Sequence, residues 1–98
     1  MSLEKVTEEF RRQAAKAPNL GKSLKFVFDE GVVFMDLSGD EAQVTNEDKD
    51  ADCTVHISVD TLDKIRRGEL NPMTALMTGK VKVKGDMGLA LKLQSLLS

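Results

Sequence analysis

The stretch from Asp86 to Leu97 carries more apolar surface than the cover of one sheet requires. In helical register Leu89, Leu93, Leu96 and Leu97 form one apolar stripe, and Met87, Ala90, Leu91 and the Leu97 end form a second beside it. Only Lys92, Gln94 and Ser95 are clearly polar. A surface helix needs one stripe, so the second has to be buried against another helix, a partner chain, a membrane or an apolar ligand. That choice decides the function.

Length and charge narrow it. A chain of 98 residues has a radius of gyration of roughly 13 Å and room for one core, so residues 1–98 are expected to form a single domain. The balance of 14 basic against 16 acidic residues, a net charge of -2, provides no overall field for drawing nucleic acid or an anionic membrane. Four phenylalanines without Trp or Tyr leave no platform for stacking bases. Nucleic acid is therefore not an expected partner. The lone Cys53 cannot form an internal disulfide, which fits a reducing compartment. No secretory apolar segment opens the chain and no apolar run reaches the ~20 residues of a membrane span. The expected location is cytoplasmic.

Leu3, Val6, Phe10, Ala14 and Ala17 recur at spacings of three and four, with Ser2 placed to cap and Pro18 to stop the helix they predict. Its other side holds Glu4, Lys5, Glu8, Glu9, Arg11, Arg12 and Lys16, a solvated charged face with helix-spaced pairs Glu8–Arg12 and Glu9–Arg12. Alternating segments then follow at Leu24–Asp29, Val32–Ser38 and Glu41–Thr45, separated by the hairpin loops Glu30-Gly31 and Gly39-Asp40. Those turns pair Phe28 with Val33, Phe26 with Met35, Leu37 with Ala42 and Met35 with Val44, giving one apolar face. The other face pairs Val27 with Phe34 and Lys25 with Asp36 and meets water. A polar connection leads to a fourth strand with Cys53, Val55 and Ile57 on one side. Asp60 is the expected cap of a short helix with Leu62 and Ile65 inward. Asn71-Pro72 opens another, which carries Met73, Leu76 and Met77. Lys80-Val81-Lys82-Val83-Lys84 is a one-sided strand, and Gly85-Asp86 turns into the final helix.

No residue set assembles an enzyme. Asp48, Asp50 and Asp52 imitate the first ligands of a calcium loop, but Cys53 and Val59 occupy the positions that need Gly and Glu, so no metal is expected. Ser2 and Lys5 share the spacing of some acyl-transfer sites without a companion motif, and capping accounts for Ser2. Cys53 and His56 are three apart on one strand and point to opposite faces, which precludes a Cys-His pair. Lys80, Lys82 and Lys84 guard a strand edge against pairing, with contact to anionic headgroups as the sharper alternative. Met35, Met73, Met77 and Met87 supply adaptable apolar surface suited either to plain core or to a cavity for flexible ligands.

The second half of the chain resembles the sterol carrier protein type 2 family of small lipid-binding domains. The residues that carry the likeness are Asp52-Cys53-Thr54-Val55, Gly68-Glu69-Leu70-Asn71-Pro72 and the long stretch Gly79-Lys80-Val81-Lys82-Val83-Lys84-Gly85-Asp86-Met87-Gly88-Leu89-Ala90-Leu91-Lys92-Leu93. The opening helix and the three strands match that family in layout. The resemblance implies an α+β fold: a five-stranded, mostly antiparallel sheet with helices on one face. Its order is helix, three-strand meander, crossover, strand, short helices, strand, helix. It also implies a non-catalytic, cofactor-free domain holding one fatty acid, acyl-CoA or sterol-like lipid in an apolar tunnel between sheet and helices. By that analogy Phe26, Phe28, Met35, Leu76, Met77, Val83, Met87 and Leu91 line the tunnel. Leu96-Leu97-Ser98 differs from the peroxisomal serine-lysine-leucine ending of some relatives, so neither peroxisomal delivery nor a fused thiolase-like enzyme is expected. Transient membrane contact and a homodimer are compatible with this reading. The rival reading is a protein-interaction or dimerisation module with a packed core and no ligand.

Overall fold

The computed structural model describes residues 2–16, 21–39 and 41–89. In chain order these form α1 (Leu3–Lys16), β1 (Ser23–Val27), β2 (Val32–Asp36), β3 (Gln43–Thr45), β4 (Cys53–Ile57), α2 (Val59–Arg66), α3 (Pro72–Met77) and β5 (Val81–Gly85). A helical turn at 87–89 begins the closing segment. Ala17, Pro18 and the rest of the expected final helix lie outside the described residues.

The strands make one mixed sheet in the order β3-β2-β1-β4-β5, with every pairing antiparallel except β1 beside β4. Val6, Phe10 and Ala14 of α1, Leu62 of α2 and Leu89 of the closing segment share a core with the inward strand residues. This is the expected α+β architecture.

The spacing of α1 explains its seat. Val6, Phe10 and Ala14 fall on one stripe and are all buried, while Ser2 Oγ accepts the Lys5 N–H at the helix start. Thr7 is buried as well, and its hydroxyl donates to the Leu3 carbonyl and accepts from Asn46 Nδ2. Arg12 pairs with Glu9 as expected, but Glu8 pairs with Arg11 one residue nearer than anticipated.

The first hairpin turns one residue earlier than its sequence suggests. Phe28 N–H donates to the Gly31 carbonyl at 2.8 Å, closing the loop on Asp29-Glu30. Gly31 has φ +153°, and a Cβ there would lie 2.6 Å from Leu3 Cδ2, so α1 packs directly on this glycine. Asp29 is drawn into the loop because its carboxylate accepts the Val59 N–H at 3.1 Å. Leu24 therefore faces Met35 and Phe26 faces Val33. Moving a turn by one residue slides the pairing by two, and with a side-chain period of two the same residues stay inside. The second hairpin keeps its expected register, with Met35 opposite Val44.

Residues 46–52 connect β3 to β4 across the outer face of the sheet. Lys25 Nζ meets Asp48 at 2.9 Å and Lys49 Nζ stands 5.8 Å from the centre of the Phe34 ring. Phe34, expected in a water-facing pair with Val27, instead faces Lys25 and is buried beneath this crossover. At α2 the cap is Ser58, not Asp60: Ser58 Oγ accepts the Thr61 N–H while Asp60 sits in the first turn. Asn71 caps α3 by accepting from Met73 and Thr74, with Pro72 in the first turn.

Candidate functional site

The inner face of the sheet is ruled into rows by the strand registers. Val33, Phe26, Val55 and Val83 form one row across β2, β1, β4 and β5; Val44, Met35, Leu24 and Cys53 form another across β3 to β4. At ~4.8 Å per strand, Phe26 and Val83 stand about 10 Å apart.

The two ends of this face differ in how they are covered. Beneath α1 the packing is close: the Phe10 ring lies 4.7 Å from Phe26 and 6.2 Å from Phe28, and Phe26 and Phe28 stack at 6.1 Å. At the β5 end Val81 and Val83 are only partly buried against the core. Neighbouring α3 buries Ala75 and half-buries Leu76, but leaves Met73 48% and Met77 83% exposed.

Asp86 anchors the closing segment at that end. Its N–H donates to the Asp52 carbonyl at 3.1 Å, its carboxylate accepts the Leu89 N–H at 3.1 Å, and Lys22 forms an ion pair with it. The Lys22 hydrogen bond and the backbone donors hold the Asp86 carboxyl below its usual range, and the same bond raises the Lys22 ammonium. So fixed, the first turn sends Leu89 into the core at 4% exposure and leaves Met87 45% exposed.

The eight residues assigned to a tunnel thus fall into separate settings. Phe26, Phe28 and Met35 are buried in the core. Leu76 and Val83 are half-buried, Met77 and Met87 are exposed, and Leu91 lies outside the described residues. Val81 and Met73 belong to the same end of the molecule but were not among the eight, although Met73 is one of the four adaptable methionines. The spacing of Met73 and Met77, four apart on a helix, was the signal that could have included Met73.

The other candidates are accounted for by local structure. Cys53 is fully buried on the inner face and burial pushes its thiol up, with the nearby Asp86 charge adding to the shift. His56 is half-buried on the outer face opposite Lys82. Asp48 is engaged by Lys25, and Asp52 accepts from the N–H and the hydroxyl of Ser23.

The inner face of the sheet is thus tightly packed beneath α1, while Val81 and Val83 at the β5 end are only partly buried. The sequence matches the SCP-2 sterol transfer family over residues 3–98, and the chain belongs to that family. It is similar to sterol carrier protein 2 of Bos taurus, 44% identical over 59 residues, a match that takes in 60% of this chain and 11% of the bovine protein's length. Two solved structures share the fold. Sterol carrier protein 2 from Yarrowia lipolytica in its apo form aligns with a TM-score of 0.69 and 24% identity over 95% of this chain and 77% of that one. Palmitated SCP2L2 from Aedes aegypti aligns with a TM-score of 0.73 and 22% identity over 99% and 95%. The function class of the family is lipid binding or transfer. No described helix is long and apolar enough to cross a membrane.

Proposed function

We propose that residues 1–98 act as one cytoplasmic domain that binds and transfers a single apolar lipid, such as a fatty acid, acyl-CoA or sterol, without catalysing a reaction on it. The observation that carries this reading is that, at the start of the closing segment, Leu89 lies inside the core and Met87 outside it. The apolar surface that Met87 leaves outside the core is open to an occupant, and a hydrocarbon chain between the closing segment, β5 and α3 is the one the family supports. In this reading Val83, Leu76, Met77, Met87 and Leu91 form the wall nearest the entrance, and Phe26, Phe28 and Met35 form its packed floor. Methionines suit such a wall because their unbranched thioethers adapt to ligands of differing shape. The palmitated neighbour supports an acyl chain as cargo. Cys53 and His56, on opposite faces of β4, leave the lipid chemically untouched.

The energetics favour a filled site. An empty space of ~300 Å³, at the ~24 cal/mol per Å³ of artificial cavities, costs up to ~7 kcal/mol, comparable with a total stability of ~5–15 kcal/mol. The test is displacement of a fluorescent fatty acid, titrated against wild type and Leu91→Lys. Saturable one-to-one binding lost in a folded Leu91→Lys supports the site. A stable dimer with no affinity for any fatty acid, acyl-CoA or sterol replaces it with the interaction-module reading.

A further inference from the structure

Every described Leu, Ile, Val and Phe is buried or half-buried, and the large apolar side chains left exposed among the described residues are methionines: Met73 at 48%, Met77 at 83% and Met87 at 45%. Their places are related. Met73 and Met77 lie on α3, whose Ala75 carbonyl accepts the Lys80 N–H just before β5 begins, and Met87 follows Gly85, where β5 ends. The five residues of β5, at ~3.3 Å each, set the two places about 16 Å apart, with the partly buried Val81 and Val83 between them. Met35, by contrast, is 2% exposed in the core, and Cys53 is fully buried. The sulfur that a dissolved oxidant can reach among the described residues is therefore gathered along one strand.

We propose that Met73, Met77 and Met87 form a reversible oxidation site through which hydrogen peroxide turns off uptake of an apolar lipid, a role that rests on the lipid-binding reading. A thioether sulfur attacks peroxide: the O–O bond breaks, one oxygen bonds to sulfur and the other leaves as water, so sulfur loses two electrons and peroxide gains them. The resulting sulfoxide is polar and accepts hydrogen bonds. In the empty protein water solvates it at these exposed positions, so the fold is barely altered. Beneath a hydrocarbon chain the same oxygen loses water and gains no donor, which lowers affinity by about tenfold for each sulfoxide the ligand covers. A wall of leucines would be as apolar and would lack this response. A bound ligand also covers the sulfurs, so it slows their oxidation.

Wild type and Met73→Leu/Met77→Leu/Met87→Leu are treated with hydrogen peroxide, and the sulfoxides are located by peptide mass spectrometry. Affinity for a fluorescent fatty acid is measured before treatment, after it, and after incubation with the two methionine sulfoxide reductases, one for each epimer. Met1, Met35 and Cys53 are common to both proteins, so the difference between them reports the three substituted positions. Wild type is expected to lose affinity by about tenfold or more with unchanged circular dichroism and to regain it on reduction, while the leucine variant binds throughout. Saturating fatty acid is expected to slow sulfoxide formation at Met77. If the leucine variant folds poorly, the reversal in wild type and the protection by fatty acid decide the matter. Oxidised wild type that binds as before, a loss that the reductases do not reverse, an equal loss in a folded leucine variant, or oxidation that fatty acid does not slow overturns the oxidation site and leaves the lipid carrier standing. Untreated wild type without fatty-acid affinity overturns the two together.

Discussion

Gly85 is pressed against Asp52: a Cβ on Gly85 would lie 2.3 Å from the Asp52 carbonyl oxygen and 3.3 Å from Cys53 Cα. The same carbonyl accepts the Asp86 N–H, so this backbone contact seats the closing segment on β4. Gly85 also has φ +97°, a conformation that side chains rarely adopt. Gly85→Ala is expected to cost about 3 kcal/mol from strain and overpacking together, lowering the melting temperature by more than ~10 °C. A melting temperature within a few degrees of wild type would show that the contact relaxes freely.

The packed end should behave as ordinary core. Phe10 touches both Phe26 and Phe28, so Phe10→Ala is expected to destabilise by ~3–5 kcal/mol in urea unfolding. A loss below about 1 kcal/mol would place void space already beneath α1.

At the opposite end stability and binding should separate. Met73→Ser/Met77→Ser removes exposed side chains and is expected to change stability by less than ~0.5 kcal/mol. Fatty-acid affinity should nevertheless fall on the order of tenfold, since each lost methylene-sized contact with the ligand is worth about 0.8 kcal/mol. Unchanged affinity would move the entrance away from α3.

The Lys22–Asp86 pair sets a pH window. The carboxyl of Asp86 is lowered from 3.8, so its contribution is present above that value and is lost as pH falls through the lower native one. Lys22 is raised from 10.5, so its contribution is present below that value and is lost as pH rises through the higher native one. The urea midpoint of wild type should therefore exceed that of Asp86→Asn at neutral pH, with the two converging as pH falls through the lowered Asp86 value and as it rises through the raised Lys22 value. Asn at this position still accepts the Leu89 N–H, so the comparison isolates charge. A difference that persists at both extremes would assign the effect to capping instead.

Most of the architecture was legible because it rests on period and punctuation. The stripe of Val6, Phe10 and Ala14, the alternation at Val81–Lys84, and Asn71-Pro72 at a helix start each have one local solution. Where reading failed, a distant residue decided. The hairpin turn moved because Asp29 is held by Val59 and Gly31 is packed by Leu3; Asp60 lost the cap to Ser58, already extended at the end of β4; Phe34 was buried by a crossover whose path depends on strand order. The site was less legible than the fold. Composition and resemblance pointed to eight lining residues, but the exposure of Met77 beside the burial of Phe26 depends on how far each helix covers the sheet, which no local pattern encodes.

The most direct test of a lipid-holding domain is to extract the freshly purified protein with organic solvent, identify what comes out by mass spectrometry, and melt the stripped protein with and without that molecule. The account predicts a near-stoichiometric apolar lipid and, at ~100 times its Kd, a gain of ~2.7 kcal/mol, on the order of 10 °C in melting temperature. Stripped protein as stable as the original, with no lipid recovered and no shift from any fatty acid, acyl-CoA or sterol, would contradict it.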